Sequence, residues 1–204
     1  GVDLDARDSR TRAAVEAFGE EVLALRRDVA TLTAALADAE ALADFDTLCP
    51  VFNRRAFERE LRREIALADR YGSPFCVVFI DLDGFKSIND RFGHGVGDQA
   101  LIAVAEVLTE NTRETDSVGR IGGDEFAVLL THANSGDSLA KAADLVAGIE
   151  AVRLRVGPGT GDTVSPAASF GIAEWRKGAA VDTLIASADQ AMYAQKAERR
   201  ALSG

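Results

Sequence analysis

The chain has 204 residues and a mass of 21.6 kDa, and 47% of the residues are hydrophobic, enough for one substantial core and an appendage. A formal net charge of -10 and a pI of about 4.7 argue against a nucleic-acid backbone or an anionic membrane surface as partner. No apolar run reaches the roughly 20 residues that span a bilayer, and Cys49 and Cys76 lack metal-site or disulfide-framework spacing. We therefore expect a reducing, cytoplasmic setting. Because the chain begins at Gly1 rather than Met, we expect it to be part of a longer protein.

The first predicted element is a long helix within residues 1–45. Apolar residues recur there at alternating steps of three and four over about four heptads, without proline. The two seam positions hold Val15, Val22, Val29 and Leu36, and Phe18, Leu25, Leu32 and Ala39. Valine at one position with mostly leucine or phenylalanine at the other favours a parallel two-stranded coiled coil, and hence a homodimer. A single amphipathic helix packed on its own domain is the alternative.

Residues 46–204 form the second predicted region, in which helices and strands alternate. In chain order the sequence predicts a charged amphipathic helix over 52–72, a buried strand over 75–82, a short helix over 85–92, a helix over 99–112, two strands around residues 122–125, a helix over 138–152, a loop over 157–166, a strand over 167–175 and a closing helix over 181–200. The hairpin adds an antiparallel pair to this pattern. We therefore expect an α/β (α+β) fold with a central mixed, mostly antiparallel sheet flanked by helices.

The hairpin turn consists of Gly122, Gly123, Asp124 and Glu125. Glycines tolerate positive φ and allow another group to approach the backbone, which suits a tight turn. Taken alone, this motif fits a solvated turn. A second acidic cluster, Asp81 and Asp83, ends the buried strand over 75–82 and changes that interpretation. Carboxylates from two adjacent strand ends are the ligands that a hard divalent cation requires.

The residues after that strand, Gly84, Phe85 and Lys86, begin a helix. A helix start offers backbone amides and a positive dipole end, and Lys86 adds an ammonium group, so a phosphate tail could bind here. Mg²⁺ usually takes only one or two protein carboxylates and completes its shell with water and substrate phosphates. The acidic clusters and this helix start together predict a metal-nucleotide site.

Four motifs carry a resemblance to a known family: "FNRRAF", "DLDGFKSINDRFGHGVGD", "GRIGGDEF" and "ADQAMYAQK". In order and spacing they resemble the GGDEF-domain diguanylate cyclases, over roughly Asp46 to Arg200. The resemblance implies a fold like that of nucleotidyl cyclases and polymerase palms. It also implies that two GTP molecules are condensed to cyclic di-GMP with loss of two pyrophosphates, in a dimer whose protomers each hold one GTP.

The resemblance implies roles for the hairpin and for the strand end. Asp81 and Asp124, assisted by the backbone carbonyl of Leu82, correspond to the ligands of Mg²⁺ (or Mn²⁺). Glu125 is the candidate to assist deprotonation of the attacking 3′-hydroxyl or to complete the metal shell. The two hairpin glycines, Gly122 and Gly123, would let the nucleotide approach the backbone.

The resemblance also implies a set of nucleotide contacts. Asn89 and Asp98 fall where the family reads the guanine edge, and a carboxylate suits guanine because adenine lacks the N1–H and exocyclic amine donor pair. The phosphate contacts correspond to Lys86, beside Phe85, and to the closing-helix residues Lys196 and Arg200. The last two are spaced i, i+4 and so share one helix face.

A separate motif is Arg113-x-x-Asp116, which occurs often by chance as a surface pair. Its placement shortly before the glycine pair resembles the family's inhibitory product site, with Arg113 meeting guanine and phosphate of cyclic di-GMP and Asp116 meeting a guanine edge. The implied consequence is feedback inhibition. The family's additional arginine on the helix near 140–150 is missing here, and Lys141 is a weak substitute.

The sequence departs from the family pattern at two further places and leaves rival functions open. Cys49-Pro50 replaces the usual Thr-Gly before the Asn-Arg pair, and Arg199 replaces a common glycine. One rival is a catalytically dead domain that serves as a GTP or cyclic di-GMP receptor, which the retained acidic residues argue against. A second is an interaction protein whose coil is the functional part, and a third is a cyclase for another base.

Overall fold

The computed structural model describes the backbone of residues 4–42, 44–157 and 162–203, and the side chains of 11, 14–33, 44–157 and 162–197. The helices are α1 Leu4–Leu42, α2 Arg54–Tyr71, α3 Phe85–Phe92, α4 His94–Glu110, α5 Ser135–Ala151 and α6 Val181–Ser203. The strands are β1 Phe52–Asn53, β2 Phe75–Asp83, β3 Ser117–Arg120, β4 Glu125–Thr131, β5 Leu154–Arg155, β6 Thr163–Val164 and β7 Ala167–Glu174. None of the helices described is both long enough and apolar enough to cross a membrane.

The chain divides into two compact units, Gly1–Ala43 and Asp44–Gly204. The first unit contains α1, so the predicted long helix is confirmed. Its seam side chains are 56–69% exposed where they are largest, at Val15, Phe18, Leu25, Val29 and Leu32. Two other predicted seam residues, Leu36 and Ala39, lie outside the described side chains. The coiled-coil dimer stays a prediction, as do the roles assigned to the two regions.

The second unit is built on a five-stranded sheet in the order β1-β3-β4-β2-β7. Only the two-residue β1 pairs in parallel, with β3; the pairs β3–β4, β4–β2 and β2–β7 are antiparallel. The predicted mixed, mostly antiparallel sheet is therefore confirmed. Strand β2 lies inside the sheet, which explains why its sequence is continuously apolar: both of its faces are covered.

Alternation along β2 assigns each side chain to one of two cores. Phe75, Val77 and Phe79 pack in a cluster with side chains of α2 and α6. The intervening residues, Val78 and Ile80, pack on the opposite face with side chains of α4 and α5. By the same alternation Asp81, where β2 reaches the sheet edge, belongs to the face of α2 and α6.

Helix α2 ends where the sequence predicts and begins two residues later than predicted. Asn53 caps its start, with Oδ1 accepting from the Ala56 amide at 3.0 Å, and Gly72 ends it at a φ of 74°. The two residues before α2 are a short strand rather than part of the predicted helix, because Phe52 and Asn53 pair with β3.

Two further predicted helix starts were wrong, and one short strand was missed. Helix α4 begins at His94 rather than near 99, because Gly93 turns the chain at a φ of 86° and the glycine-rich segment after it forms the first turn. Helix α5 begins at Ser135 rather than 138, because Asn134 accepts from the Asp137 amide and caps it. Part of the loop predicted over 157–166 is strand β6, which pairs with β5.

Candidate active site

The two acidic clusters meet because β2 and β4 are antiparallel neighbours. In the register of this pair Asp81 lies opposite Glu125, and Val77 and Phe79 lie opposite Leu129 and Ala127. The Leu82 amide donates to the Asp124 carbonyl at 3.2 Å, which fixes the hairpin turn beside the end of β2. Carboxylates that are more than forty residues apart in sequence are thus brought to one edge of the sheet.

The carboxylates of the hairpin repel one another in this arrangement. Burial raises the pKa of Asp124, and the nearby Asp81 raises it further, while Lys196 and Arg120 act in the opposite direction. Burial also raises the pKa of Glu125, followed by the charges of Asp81 and Asp124. Like charges held together in a half-buried place are a common feature of functional sites.

Lys196 on α6 provides a positive charge beside this cluster. Its Nζ forms an ion pair with Asp81 Oδ1 and lies 3.8 Å from Asp83 Oδ1, and its side chain is 15% exposed. Asp83 also accepts from Ser169 Oγ of β7 at 2.8 Å. We call the cluster of Asp81, Asp83, Asp124 and Glu125 the acidic edge. Lys196, predicted from the sequence as a phosphate contact, lies beside it and neutralises part of its charge.

The two hairpin glycines have different structural reasons. Neither has a positive φ, so the conformational reason given from the sequence was wrong. A Cβ at Gly122 would overlap Glu125 Oε2, so this glycine makes room for the Glu125 side chain. Gly123 has open space around it, and its carbonyl accepts two hydrogen bonds from Arg120, at 3.2 and 2.7 Å.

The donor set fits a hard divalent cation of low protein coordination. Among the described side chains no three His, Cys, Asp or Glu residues form a ready-made metal cage. Asp81 and Asp124 provide two coupled carboxylates, and the Leu82 carbonyl belongs to the residue between Asp81 and Asp83. Mg²⁺ suits such a site because it retains waters and takes substrate phosphates as its remaining ligands. The raised pKa of Asp124 is the cost that a bound cation would relieve.

The predicted guanine contacts lie on α3 and the first turns of α4. A Cβ at Gly97 would overlap Asn89 Oδ1 and lie 3.3 Å from the Phe85 ring, so α3 and α4 approach closely at this glycine. Asn89 is half-buried, and Asp98, the next residue after Gly97, is exposed. The structure thus brings Phe85, Asn89 and Asp98 to adjoining positions. Lys86 is exposed on α3.

The Arg113-x-x-Asp116 motif lines a separate cavity of about 370 Å³. Lys141 of α5 lines the same cavity, so the residue named as the substitute for a missing arginine is brought to Arg113 and Asp116. Asp116 is already engaged by the fold: Oδ1 accepts from the Thr131 amide at 3.0 Å and Oδ2 from the Arg113 amide at 3.0 Å. The cavity also contains His132, Asp137 and Asp144.

This cavity is remote from the acidic edge. It adjoins Leu130 and Thr131 at the end of β4, whereas Glu125 begins that strand. Six residue steps at the rise of a β-strand separate the two ends by about 20 Å. The cavity therefore lies at the opposite end of β4 from the hairpin carboxylates.

Two residues with a clear structural role at the hairpin were not recognised in the sequence. Arg120 bonds both Gly123 and Asp46, and Asp46 is 74 residues away in sequence, so no local spacing rule could pair them. The signal available was the placement of Arg120 two residues before the glycine pair.

The side chain of Arg200, a predicted phosphate contact, lies outside the described residues.

Comparison with protein families gives an independent assignment. The family model described as "Diguanylate cyclase, GGDEF domain" matches residues 43–201. The chain is similar to diguanylate cyclase DosC of Escherichia coli strain K12, with 37% identity over 155 residues, covering 76% of this chain and 33% of DosC. It is similar to diguanylate cyclase TpbB of Pseudomonas aeruginosa PAO1, with 38% identity over 195 residues, covering 92% of this chain and 44% of TpbB. The chain thus spans less than half the length of these curated relatives.

Among solved structures, the chain is similar to the coiled coil and GGDEF domain of DgcB from Caulobacter crescentus in complex with cyclic di-GMP. The TM-score is 0.72 at 28% sequence identity, and the match covers 96% of this chain and 95% of that one. This agreement supports the mixed-sheet fold described above.

Proposed function

The chain belongs to the family of GGDEF-domain diguanylate cyclases, and from this premise we propose that it condenses two GTP molecules to cyclic di-GMP and two pyrophosphates. The observation that carries the proposal is the convergence of Asp81, Asp124 and Glu125 at neighbouring ends of β2 and β4. A receptor that had lost catalysis would have no need to retain this costly group of like charges. The relatives named above as diguanylate cyclases support the same activity.

The reaction is two successive phosphoryl-type transfers. In each, the 3′-oxygen of one GTP attacks the α-phosphorus of the other, a new P–O bond forms, and the bond to the bridging oxygen breaks to release pyrophosphate. The 3′-hydroxyl proton passes to a base, for which Glu125 is the candidate. In the chain without a bound cation, burial first and then the charges of Asp81 and Asp124 raise the pKa of Glu125, a direction that suits a proton acceptor.

Asp81, Asp124 and the Leu82 carbonyl would hold Mg²⁺ or Mn²⁺, which supplies neutralisation of charge on the phosphates and the leaving group when bound. Lys196 would then be shared between Asp81 and a phosphate, since its ammonium already lies at the acidic edge. Lys86, exposed at the start of α3, and Arg200 are the remaining proposed phosphate contacts.

Selectivity for guanine is proposed to lie with Asn89 and Asp98. Their adjoining positions across the close α3–α4 approach would present an amide and a carboxylate to one base edge. Guanine donates N1–H and its exocyclic amine to such acceptors, whereas adenine would leave them unpaired, so GTP would be favoured over ATP. We propose Phe85 as part of the same wall.

Because the unit of residues 44–204 would hold one GTP, the reaction needs two such units, from two chains, facing each other. We propose that α1 provides this dimer as a parallel coiled coil. Its large apolar side chains are exposed in the single chain, and the similar DgcB structure is described as a coiled coil and GGDEF domain. Product inhibition is proposed to act at the cavity lined by Arg113, Asp116 and Lys141.

The test is incubation with GTP and Mg²⁺, followed by chromatography of the nucleotides, for the wild-type chain and Asp124→Asn. We expect cyclic di-GMP from the wild type and a loss of about a hundredfold or more in the variant. Asp69→Asn, at an exposed site on α2, is the matched control and should retain activity. Binding of GTP without product would favour the receptor, and neither binding nor product would favour a role limited to the coil. ATP in parallel reactions tests the base.

A further inference from the structure

Arg120, the last residue of β3, connects the hairpin turn to the turn that precedes β1. Its Nε and Nη2 donate to the Gly123 carbonyl at 3.2 and 2.7 Å, and its Nη1 donates to Asp46 Oδ1 at 3.0 Å. The Arg120 side chain is 15% exposed and that of Asp46 is 18% exposed. The Arg120–Asp46 ion pair, with both side chains this far withdrawn from solvent, is screened less than a surface ion pair.

The turn on the other side of Arg120 is organised around the Asp46 carboxylate. Oδ1 of Asp46 also accepts from the amides of Leu48 and Cys49, at 3.0 and 2.9 Å. Burial opposes ionisation of Asp46, but these two amides and Arg120 outweigh it and hold the pKa below its usual range. The turn therefore offers Arg120 an ionised partner in a fixed place.

On the hairpin side, Arg120 bonds a backbone carbonyl that adjoins Asp124. The Gly123 carbonyl belongs to the peptide unit that joins Gly123 to Asp124, and a peptide unit is planar. Two bonds to that oxygen fix the orientation of the whole peptide unit. They thereby restrict the position of the Asp124 Cα, from which its side chain extends. Gly123 itself is exposed, and no neighbouring atom lies within 4 Å of the place where its Cβ would be.

We infer that Arg120 is a positioning residue that holds the hairpin in its reactive geometry, and that Asp46 couples this geometry to the turn of residues 46–49. The inference rests on the proposed cyclase activity for its functional consequence, but not for its structural one. The turn of residues 46–49 directly follows the start of the second unit at Asp44. A change imposed on this turn would thus reach the hairpin through one side chain.

A purely electrostatic role for Arg120 is the competing explanation. Its charge does favour the ionised form of Asp124, but it is the weakest of the influences on that pKa, after burial, Asp81, a backbone bond and Lys196. Arg120→Lys separates the two roles, since lysine keeps the charge but lacks the planar fork that reaches two acceptors at once.

The experiment measures amide hydrogen exchange of the 121–126 segment, without nucleotide, in the wild-type chain, Arg120→Lys and Asp46→Asn. The Asp46→Asn substitution keeps an acceptor for the two turn amides but removes the charge. We expect exchange about tenfold faster in Arg120→Lys and about threefold faster in Asp46→Asn, since charge-assisted bonds are lost. The double variant should match Arg120→Lys alone if both act through one connection.

Asp44→Asn is the matched control. It breaks a different ion pair of the same segment, in which Arg59 donates to Asp44 at 2.9 and 2.7 Å, and it touches no hairpin atom among the contacts found. Its exchange in the 121–126 segment should equal that of the wild type. Urea unfolding of each variant establishes that the native state is populated.

Kinetics give the functional half of the test. A misplaced hairpin should lower kcat for cyclic di-GMP formation by about tenfold in Arg120→Lys, with the KM for GTP changed far less. Wild-type-like exchange and kcat in Arg120→Lys would overturn the inference, and wild-type-like exchange in Asp46→Asn would overturn the coupling to the turn. If the wild type forms no cyclic di-GMP, the proposed function fails, whereas the exchange result still decides whether Arg120 holds the hairpin.

Discussion

At the scale of single residues, the buried like charges of the acidic edge lower the free energy of unfolding of the chain without a bound cation. The pKa of Asp124 is raised first by burial and then by Asp81, and the pKa of Glu125 by burial, Asp81 and Asp124. A carboxyl whose pKa is raised in the folded state binds protons more tightly there than in the unfolded chain. Its stabilising effect is therefore present at low pH and is lost as the pH rises through the folded pKa.

Asp124→Asn should accordingly stabilise the chain at pH 7 in the absence of divalent cations. The carboxylate is half-buried and partly screened, so we expect a gain of about 1 kcal/mol in the free energy of unfolding. The gain should shrink as the pH falls toward the ordinary pKa of an aspartate, about 4. Urea unfolding can be followed by the fluorescence of Trp175, the chain's one tryptophan, which is buried and stacked on Phe75. A destabilised Asp124→Asn at pH 7, with Asp69→Asn unchanged, would contradict the prediction.

The cavity lined by Arg113, Asp116 and Lys141, which is the proposed site of product inhibition, carries a second prediction at the residue scale. Its two basic side chains, Arg113 and Lys141, face three aspartates, so it offers no net positive charge to a dianionic product. We expect Arg113→Ala to raise the inhibition constant of cyclic di-GMP by about tenfold or more, from loss of charge-assisted bonds. Asp144→Asn should lower that constant by about threefold, because it removes a like charge.

Inhibition is measured from initial rates at increasing added product, so that each variant is referred to its own uninhibited rate. Arg70→Ala, an exposed arginine at the end of α2, is the control. Equal inhibition constants in the wild type and Arg113→Ala would show that this cavity is not the inhibitory site.

Site residues could be predicted from the sequence where a local pattern places them, and not where tertiary packing brings distant segments together. Asp81 and Asp124 were predictable because Asp81 lies near the end of the apolar strand β2, Asp124 directly precedes the apolar strand β4, and neighbouring strand ends share an edge. Lys141 could be named only as a weak substitute, since its approach to Arg113 depends on how α5 packs. Arg120 and Asp46 were missed because their bond joins segments that no pattern relates.

At the scale of elements, the close approach of α3 and α4 depends on Gly97, which has no side chain. A Cβ at Gly97 would overlap Asn89 Oδ1, so Gly97→Ala must displace Asn89 or separate the helices. If Asn89 reads guanine, the KM for GTP should rise by about tenfold and the preference for GTP over ATP should fall. Gly95→Ala, in the same first turn of α4 but with open space around it, is the matched control and should leave both values unchanged. A normal KM in Gly97→Ala would remove Asn89 from the guanine site.

The element boundaries show which local signals were readable. Helix α2 was predicted closely because Asn53 and Gly72 are capping residues with a side chain or a φ suited to that role. Helix α4 was predicted too short because glycines in its first turn are typical of loops, and the sequence does not reveal the close packing of α3 against Gly97. Strand β6 was missed because a two-residue strand has no periodicity.

At the scale of the whole molecule, the proposed activity requires two copies of the second unit, whereas each chain supplies one. Among the described side chains of α1, every exposed large apolar residue except Leu23 lies along the predicted seam, and a coiled coil would bury the seam residues. Tethering two catalytic units at short range gives an effective concentration on the order of millimolar, far above a dilute assay concentration. Dimerisation through α1 should therefore matter most when the protein is dilute.

A chain of residues 44–204, which form one compact unit, tests this directly. Its specific activity should fall as the protein is diluted from micromolar to nanomolar, since two half-sites must then meet by diffusion, while the 204-residue chain should hold its activity to lower concentrations. Fusing an unrelated parallel two-stranded coiled coil to residue 44 should restore activity at low concentration, which separates dimerisation from any other role of α1. Equal specific activities of the two chains across the dilution series would mean that the catalytic units assemble without α1.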